Sequence, residues 1–274
     1  MSKNKTTQIF LFIKKKELVS IDEIKKEFPN LSAKSLSYHL NKTLNLGVKK
    51  IQKGLYVYEI VSDKYHFLNK LNKNNVIAYH TALEFFGLGH TVFFSSYVMN
   101  PANMPIKEDL HKTIIYFVKP TIGVYQEIKR NNITFKVTPL EATFLDCLLK
   151  PKYCGGFEEL LRCLQGLDGT NEDKINLNKD PISQENTELN LNYLYELLKK
   201  YNIKKLYNLT GFTLEILKKY WQIDVSNKFL NKINKEIRKD YIVLESSHSN
   251  VYKLDKKWNI KYPKELESAI TGVY

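Results

Sequence analysis

The amino-acid sequence predicts a mixed α+β fold, with a small N-terminal module at residues 1–62 and a larger mixed α/β region at 63–274 that has a helical C-terminal part. In the first part, helical patterns precede a β-hairpin pattern; in the second, β-rich runs alternate with helical patterns. The chain of 274 residues is 43% hydrophobic and 12% aromatic, which is ample for a buried core. Residues 168–188 contain no aromatic side chain and are predicted to be a linker or surface insertion.

Three helical patterns and a hairpin pattern make up the N-terminal module. The predicted helices span residues 6–15, 21–28 and 33–44, and the predicted strands span 48–52 and 55–60. Ser20 and Glu23 form a capping-box pattern at the second helix, and Ser32 is placed as the N-cap of the third. Lys53-Gly54 is a two-residue turn signal, because glycine tolerates positive φ. This order is typical of a winged helix-turn-helix, which lays its third helix and its wing against DNA.

Positive charge is concentrated in the same module. Residues 1–60 hold 12 lysines against five acidic residues, a net of +7, which leaves +6 of the total +13 for the other 214 residues. The stretch from Pro29 to Tyr58 has five lysines and no aspartate or glutamate. A basic face attracts a polyanion and supplies the salt-dependent part of nucleic-acid affinity. The alternative interpretation is a solvated lysine-rich surface that follows from AT-rich codon usage.

We therefore predict a DNA-binding surface on the third helix and the hairpin. Side chains near the N-terminus of a recognition helix usually reach base edges, although a lysine or serine there can contact either a phosphate or a guanine edge. Wing lysines meet phosphates. The candidate residues are Ser32, Lys34, Ser35, Ser37, Tyr38, Asn41 and Lys42 on the helix, and Lys49, Lys50 and Lys53 on the hairpin. His39 either touches DNA or packs at the edge of the core. A winged helix that contacts protein instead of DNA is the alternative.

The larger region reads as helices interleaved with strands. Predicted helices span residues 76–86, 140–149, 157–164, 189–201, 204–220 and 227–239, and predicted strands span 91–99, 113–118, 133–137, 241–244, 251–254 and 258–262. Gly155-Gly156 predicts a tight turn. A phosphate cradle is the alternative, but the Lys-Ser/Thr pair that such a cradle carries does not follow these glycines.

Residue spacing points to no catalytic site. Glu141 and Asp146 are five residues apart on one helix, about 140° round its axis, which disfavours shared acid–base chemistry and favours structural roles. The six histidines show no HxxxH or HExxH spacing and the three cysteines no CxxC, so we predict no metal and no cofactor. The cysteine usage favours a reducing cytoplasm, and the apolar runs are too short for a membrane span. The prediction is a cytoplasmic protein that is not an enzyme.

Five segments resemble one known family. After the N-terminal pattern come residues 78–88 (AYHTALEFFGL), 138–156 (TPLEATFLDCLLKPKYCGG), 209–215 (LTGFTLE), and 251–254 (VYKL) with Trp258. In this order they are similar to segments of the AbiEi antitoxins of bacterial and archaeal type IV toxin–antitoxin systems. The third is the most specific, since the family carries an EKAxLDCLxxPxYxGG-like run. Ala142 stands where that run has lysine, and polar or lysine residues near Asn208 replace the family's arginine.

The resemblance implies a transcriptional repressor and antitoxin. Its winged helix would bind double-stranded DNA of its own promoter, as a homodimer if the site is palindromic, and its C-terminal region would neutralise a nucleotidyltransferase-type toxin without a stable complex. One alternative is a winged-helix regulator whose C-terminal domain senses a small ligand, which a deep apolar pocket would favour. Another is a nucleic-acid-processing enzyme with a DNA-docking module. The absence of a Walker loop or of a Gly-Ser loop followed by paired aspartates argues against it.

Overall fold

The computed structural model describes residues 4–59, 61, 63–100, 107–110, 113–171, 187–244 and 251–271, and these form the predicted mixed α+β fold. Their helices are α1 (Lys5–Lys16), α2 (Ile21–Glu27), α3 (Ala33–Leu44), α4 (Lys64–Leu71), α5 (Tyr79–Phe85), α6 (Leu140–Leu149), α7 (Phe157–Leu164), α8 (Leu191–Tyr201), α9 (Lys204–Trp221), α10 (Asn227–Asn234) and α11 (Leu266–Thr271), with a 3-10 helix at Pro151–Cys154. The strands are β1 (Leu18–Ser20), β2 (Val48–Gln52), β3 (Leu55–Tyr58), β4 (Val76–Ile77), β5 (Ser95–Met99), β6 (Lys107–Leu110), β7 (Thr113–Val118), β8 (Gln126–Arg130), β9 (Ile133–Val137), β10 (Gly169–Asn171), β11 (Glu188–Asn190), β12 (Ile242–Val243), β13 (Tyr252–Asp255) and β14 (Ile260–Pro263).

The N-terminal elements occur in the predicted order, with the added strand β1. Both sides of the capping box form: the Ser20 hydroxyl accepts the Glu23 N–H, and the Glu23 carboxylate accepts the Ser20 N–H at 2.8 Å. The three strands make one antiparallel sheet in the order β1-β3-β2. Helices α1, α2 and α3 pack with this sheet around a small core of Ile9, Ile13, Val19, Ile24, Leu36, Leu40 and Val48.

The four-residue spacing of Leu36, Leu40 and Leu44 predicts one stripe that faces the core, and this prediction is wrong at Leu44. Leu44 is 38% exposed, and Thr43 is buried instead, with its hydroxyl donating to the Leu40 carbonyl at 2.7 Å. A spacing of four residues advances about 40° per step round a helix. The stripe that begins at Leu36 has therefore rotated out of the core by its third member.

The larger region is built on a six-stranded mixed sheet in the order β6-β7-β5-β4-β9-β8. The helix predicted over residues 76–86 is wrong at its start, since Val76–Ile77 is the strand β4 and the helix begins at Tyr79. The strand predicted over 91–99 begins only at Ser95. Two further strands, β6 and β8, were not predicted, because their sequences KEDL and QEIKR are charged. Both lie at edges of the sheet, where charged residues discourage pairing with other chains.

The core of the C-terminal region surrounds α6. Every residue from Leu140 to Leu148 is buried, and the helix packs against α5, α7, α8 and α9. The predicted insertion at 168–188 lies mostly outside the described residues, but its ends form β10 and β11, which pair in parallel. Within the described part of the chain, no helix is both long and apolar enough to cross a membrane.

The domain boundary at residue 62 stays a prediction. Apolar contacts continue across it. One cluster joins strand residues of the N-terminal module to α4 and to the six-stranded sheet; it consists of Leu18, Leu55, Val57, Phe67, Leu68, Leu71, Val98, Ile115 and Phe117. Gln52 Nε2 donates to the Leu71 carbonyl at 2.8 Å, and Lys70 pairs with Glu23. The N-terminal module therefore packs against the six-stranded sheet and α4 through specific contacts.

Candidate functional site

The exposed side of α3 is polar and basic. Its exposed side chains include Lys34, Ser37, Tyr38, Asn41 and Lys42. At about 100° per residue they fall within an arc of roughly 140°, opposite the buried side of the helix. The predicted helical residues are thus brought onto one face, except Ser32 and Ser35 at its N-terminal end.

Ser32 and Ser35 form the N-cap hydrogen bond of α3. The Ser32 hydroxyl accepts the Ser35 N–H at 3.2 Å, so this oxygen is committed to the N-cap. The first turn of α3 contains no acidic residue. Within this turn no carboxylate offsets the partial positive charge of the helix N-terminus, which favours an anion nearby.

Tyr38 stands at the centre of the face, 55% exposed. The Lys42 ammonium lies 4.5 Å from the centroid of its ring, a cation–π contact that holds both side chains on the surface. The neighbouring His39 is only half-exposed, and its Nδ1 lies 2.8 Å from the Thr6 hydroxyl of α1. The second of the two expectations for His39, packing at the core edge, is the one that the geometry favours.

The hairpin adds three exposed lysines, Lys49, Lys50 and Lys53. Lys49 and Lys50 are on β2, an edge strand whose register shifts between Lys50 and Gln52. A register shift of this kind, as at a β-bulge, bends a strand and increases its local twist. Within the described residues, none of the lysines on α3 or the hairpin forms an ion pair. No carboxylate of the described residues therefore neutralises these lysines, which favours an external anion.

The two carboxylates of α6 lie apart and serve different contacts. Glu141 Oε1 accepts the Asn190 N–H at 2.8 Å, and Asp146 Oδ1 accepts the Tyr201 hydroxyl at 2.6 Å. Burial raises the pKa of Glu141 to about 7 and that of Asp146 to about 6. Each therefore ties α6 to a neighbouring element, in keeping with the structural roles expected of them.

A groove of about 370 Å³ lies on the larger region, beside the 3-10 helix. It opens between Val92, Phe94 and Lys152, and Val92 and Phe94 are 81% and 86% exposed. A deep pocket that surrounds a small ligand would bury these side chains. The groove therefore lacks the enclosure that the ligand-sensing alternative calls for.

A further polar cluster was missed by sequence reasoning. His80 on α5 meets Glu159 and Cys163 on α7, and their potential ligand atoms all lie within 4.8 Å of one another. The only signal in the sequence is two pairs with a spacing of four residues, His80 with Glu84 and Glu159 with Cys163. Spacing of this kind places each pair on one helix face, but only tertiary packing joins the two pairs.

The helices and strands define a mixed α+β protein in which a small N-terminal module packs against a larger sheet. No protein-family model matches the chain, and no curated protein matches it. Among solved structures, it is similar to the crystal structure of RV2827C protein from Mycobacterium tuberculosis, with a TM-score of 0.59 and 10% sequence identity over 93% of this chain and 89% of that chain. At this identity the likeness shows a shared fold alone.

Proposed function

We propose that the protein is a DNA-binding transcriptional repressor that also acts as the antitoxin to a nucleotidyltransferase-type toxin. The observation that carries the DNA-binding part is the exposed face of α3, continued by the lysines of the β2–β3 hairpin. This face has no acidic residue between Pro29 and Tyr58, and it belongs to a module with the element order of a winged helix-turn-helix. In this proposal α3 enters the major groove, the hairpin lies on phosphates, and occupancy excludes polymerase.

A titration of the full-length protein against DNA from upstream of its own gene tests this proposal. Fluorescence anisotropy at two salt concentrations, with scrambled DNA of the same length as control, separates specific from generic binding. Specific repressors prefer their sites by on the order of a thousandfold or more. Equal affinity for both DNAs, abolished by salt, would reduce the lysines to a generic basic face and contradict the repressor.

Replacing Lys34 and Lys42 together by alanine is expected to weaken operator binding by about tenfold or more, because each lysine contacts DNA near the recognition surface. The matched control is Lys228→Ala with Lys239→Ala, which removes the same charge from exposed positions of the C-terminal region. Anisotropy titrations of both double variants give the comparison. Equal losses in the two would remove α3 from the DNA interface.

Replacing Lys49 and Lys50 by alanine is expected to change mainly the salt dependence. Each lost phosphate contact lowers the slope of log affinity against log salt by about one unit. Titrations at four or more salt concentrations measure this slope, with the Lys228/Lys239 variant again as control. A slope that matches that of the wild type would exclude phosphate contacts by the hairpin.

The antitoxin part rests on the resemblance and on where its segments lie. Residues 138–156 form α6, the 3-10 helix and the following turn; 209–215 lie within α9, which contacts α6. Trp258, from the last segment, packs directly on Gly211 of α9. Segments distant in sequence thus build one core, as expected for a shared scaffold. Co-expression with the neighbouring gene tests neutralisation: growth restored by the full chain supports it, and undiminished toxicity overturns it.

A further inference from the structure

The imidazole of His80 is buried without a hydrogen-bond partner. The side chain is 0% exposed, and neither ring nitrogen has a hydrogen-bond partner in the described part of the chain. Buried polar atoms are nearly always paired with protein, water or a bound ion, because leaving them unpaired costs free energy. The ring itself is held in place, since Phe93 stacks on it at 3.7 Å between centroids and 13° between planes. Its nitrogens therefore point in fixed directions.

Oxygen and sulfur ligand atoms lie where one of these nitrogens points. His80 Nε2 is 3.5 Å from Glu159 Oε1, and Cys163 Sγ is 3.7 Å from the same oxygen. Zinc bonds of about 2.0–2.3 Å to nitrogen, oxygen and sulfur in tetrahedral geometry would put such ligand atoms about 3.4 to 3.6 Å apart. We propose that His80 Nε2, a Glu159 carboxylate oxygen and the Cys163 thiolate form a Zn²⁺ site.

The surrounding side chains suit a metal centre. His80 Nδ1 lies 3.7 Å from a Glu84 oxygen, and Glu84 is paired with Lys64. A carboxylate on the far nitrogen fixes the tautomer and orientation of a zinc-bound histidine. Thr91 donates to both oxygens of Glu159 at 2.9 Å, which holds that carboxylate toward the cluster. The Thr91 bonds therefore pre-set Glu159, whereas Glu84 would have to move slightly closer to accept from His80 Nδ1.

The site is closed on one side and accessible on the other. A Cβ at Gly155 would lie 2.6 Å from the Phe93 ring and 3.0 Å from Glu159 Cγ, so glycine is what lets Phe93 and Glu159 approach. This gives Gly155 a role besides the turn. On the other side His90, 48% exposed, has Nδ1 3.7 Å from Glu159 Oε2. His90 is therefore a partly exposed neighbour of the Glu159 carboxylate, on its Oε2 side.

The mixture of ligand types selects the metal. A thiol favours zinc or softer ions and is unsuited to Mg²⁺ or Ca²⁺, which take oxygen ligands. Cys163 would bind as its thiolate and release its proton to solvent. A metal-free arrangement keeps His80 between Glu84 and Glu159 and uses the Cys163 thiol only as a hydrogen-bond donor to Glu159 Oε1. The role of Cys163 therefore distinguishes the two.

The test uses untagged full-length protein stripped with a chelator. Zinc is titrated in competition with a chromophoric chelator, and Co²⁺ is added as a spectroscopic probe. We expect one zinc per chain and a thiolate-to-cobalt charge-transfer band. Cys163→Ala should abolish the band and weaken zinc binding at least about a hundredfold, and Glu84→Gln should weaken it about tenfold. Cys147→Ala, which removes another fully buried thiol, is the control and should change neither.

Two results would overturn the site. One is a wild-type chain that holds no zinc and gives no band, which would favour the metal-free arrangement. The other is a Cys163→Ala variant that binds zinc as tightly as the Cys147→Ala control. His80→Ala removes a core side chain and risks misfolding. The conclusion therefore depends on comparing zinc binding by Cys163→Ala with zinc binding by Cys147→Ala. Zinc binding at this site does not depend on DNA binding. A negative result here would therefore not contradict the proposed repressor function, and the reverse also holds.

Discussion

Replacing Gly211 by alanine is expected to lower the free energy of unfolding by about 3 kcal/mol, the upper end of the usual cost of overpacking. Gly211 lies inside α9, and a Cβ there would come 2.0 Å from the Trp258 ring. That ring is fully buried, and its Nε1–H donates to Glu215, so it cannot move aside without losing this bond. In an unobstructed helix the same change would stabilise the protein by about 0.5–1 kcal/mol. The sign of the effect is therefore diagnostic.

Urea denaturation of the single and double variants measures the contact. Trp258→Leu alone is expected to cost several kcal/mol, as large-to-small changes of buried tryptophan do. In that background Gly211→Ala should lose most of its penalty, which gives a coupling free energy of about 2 kcal/mol or more. Additive effects would mean that the alanine methyl group does not meet the ring, and that the approach of α9 to Trp258 does not depend on glycine.

The sequence predicts best where local chemistry decides the structure. The capping box of Ser20 and Glu23, the N-cap at Ser32 and the turn at Gly54 act over a few residues, and all of them form as expected. Leu44 shows where such reasoning fails, because a strict four-residue stripe drifts round the helix axis. The charged edge strands β6 and β8 fail for another reason, since their pairing comes from the sheet and not from their own apolar pattern.

The His80 cluster is a feature that local sequence patterns could not predict. His80 and Glu159 are 79 residues apart in sequence, and no spacing rule relates them. Their approach depends on the packing of α5, α7 and the 3-10 helix around α6, and on the absence of a side chain at Gly155. The candidate DNA-binding face, by contrast, lies on one continuous stretch of thirty residues. The sequence could therefore suggest the candidate DNA-binding face, but the proposed metal site could be recognised only from the tertiary structure.

Glu141→Gln is expected to stabilise the protein by about 3 kcal/mol at pH 8 and to leave its stability nearly unchanged at pH 4. Burial raises the pKa of Glu141 from 4.5 to about 7, so the folded state holds this proton more tightly than the unfolded state. The resulting stability is fully present below pH 4.5 and is lost as the pH rises through about 7. Each unit of pKa difference is worth about 1.4 kcal/mol.

The substitution isolates the charge, because glutamine keeps an oxygen that can accept the Asn190 N–H at the same place. Urea denaturation at half-unit steps from pH 4 to pH 8 should show a falling stability for the wild type and a flatter profile for Glu141→Gln. The control is Glu158→Gln, since Glu158 has a half-exposed side chain paired with Arg162 on the surface. Such a pair is worth about 1 kcal/mol at most. If both variants keep the slope of the wild type, Glu141 is ionised in the folded protein at neutral pH, and another group causes the pH dependence.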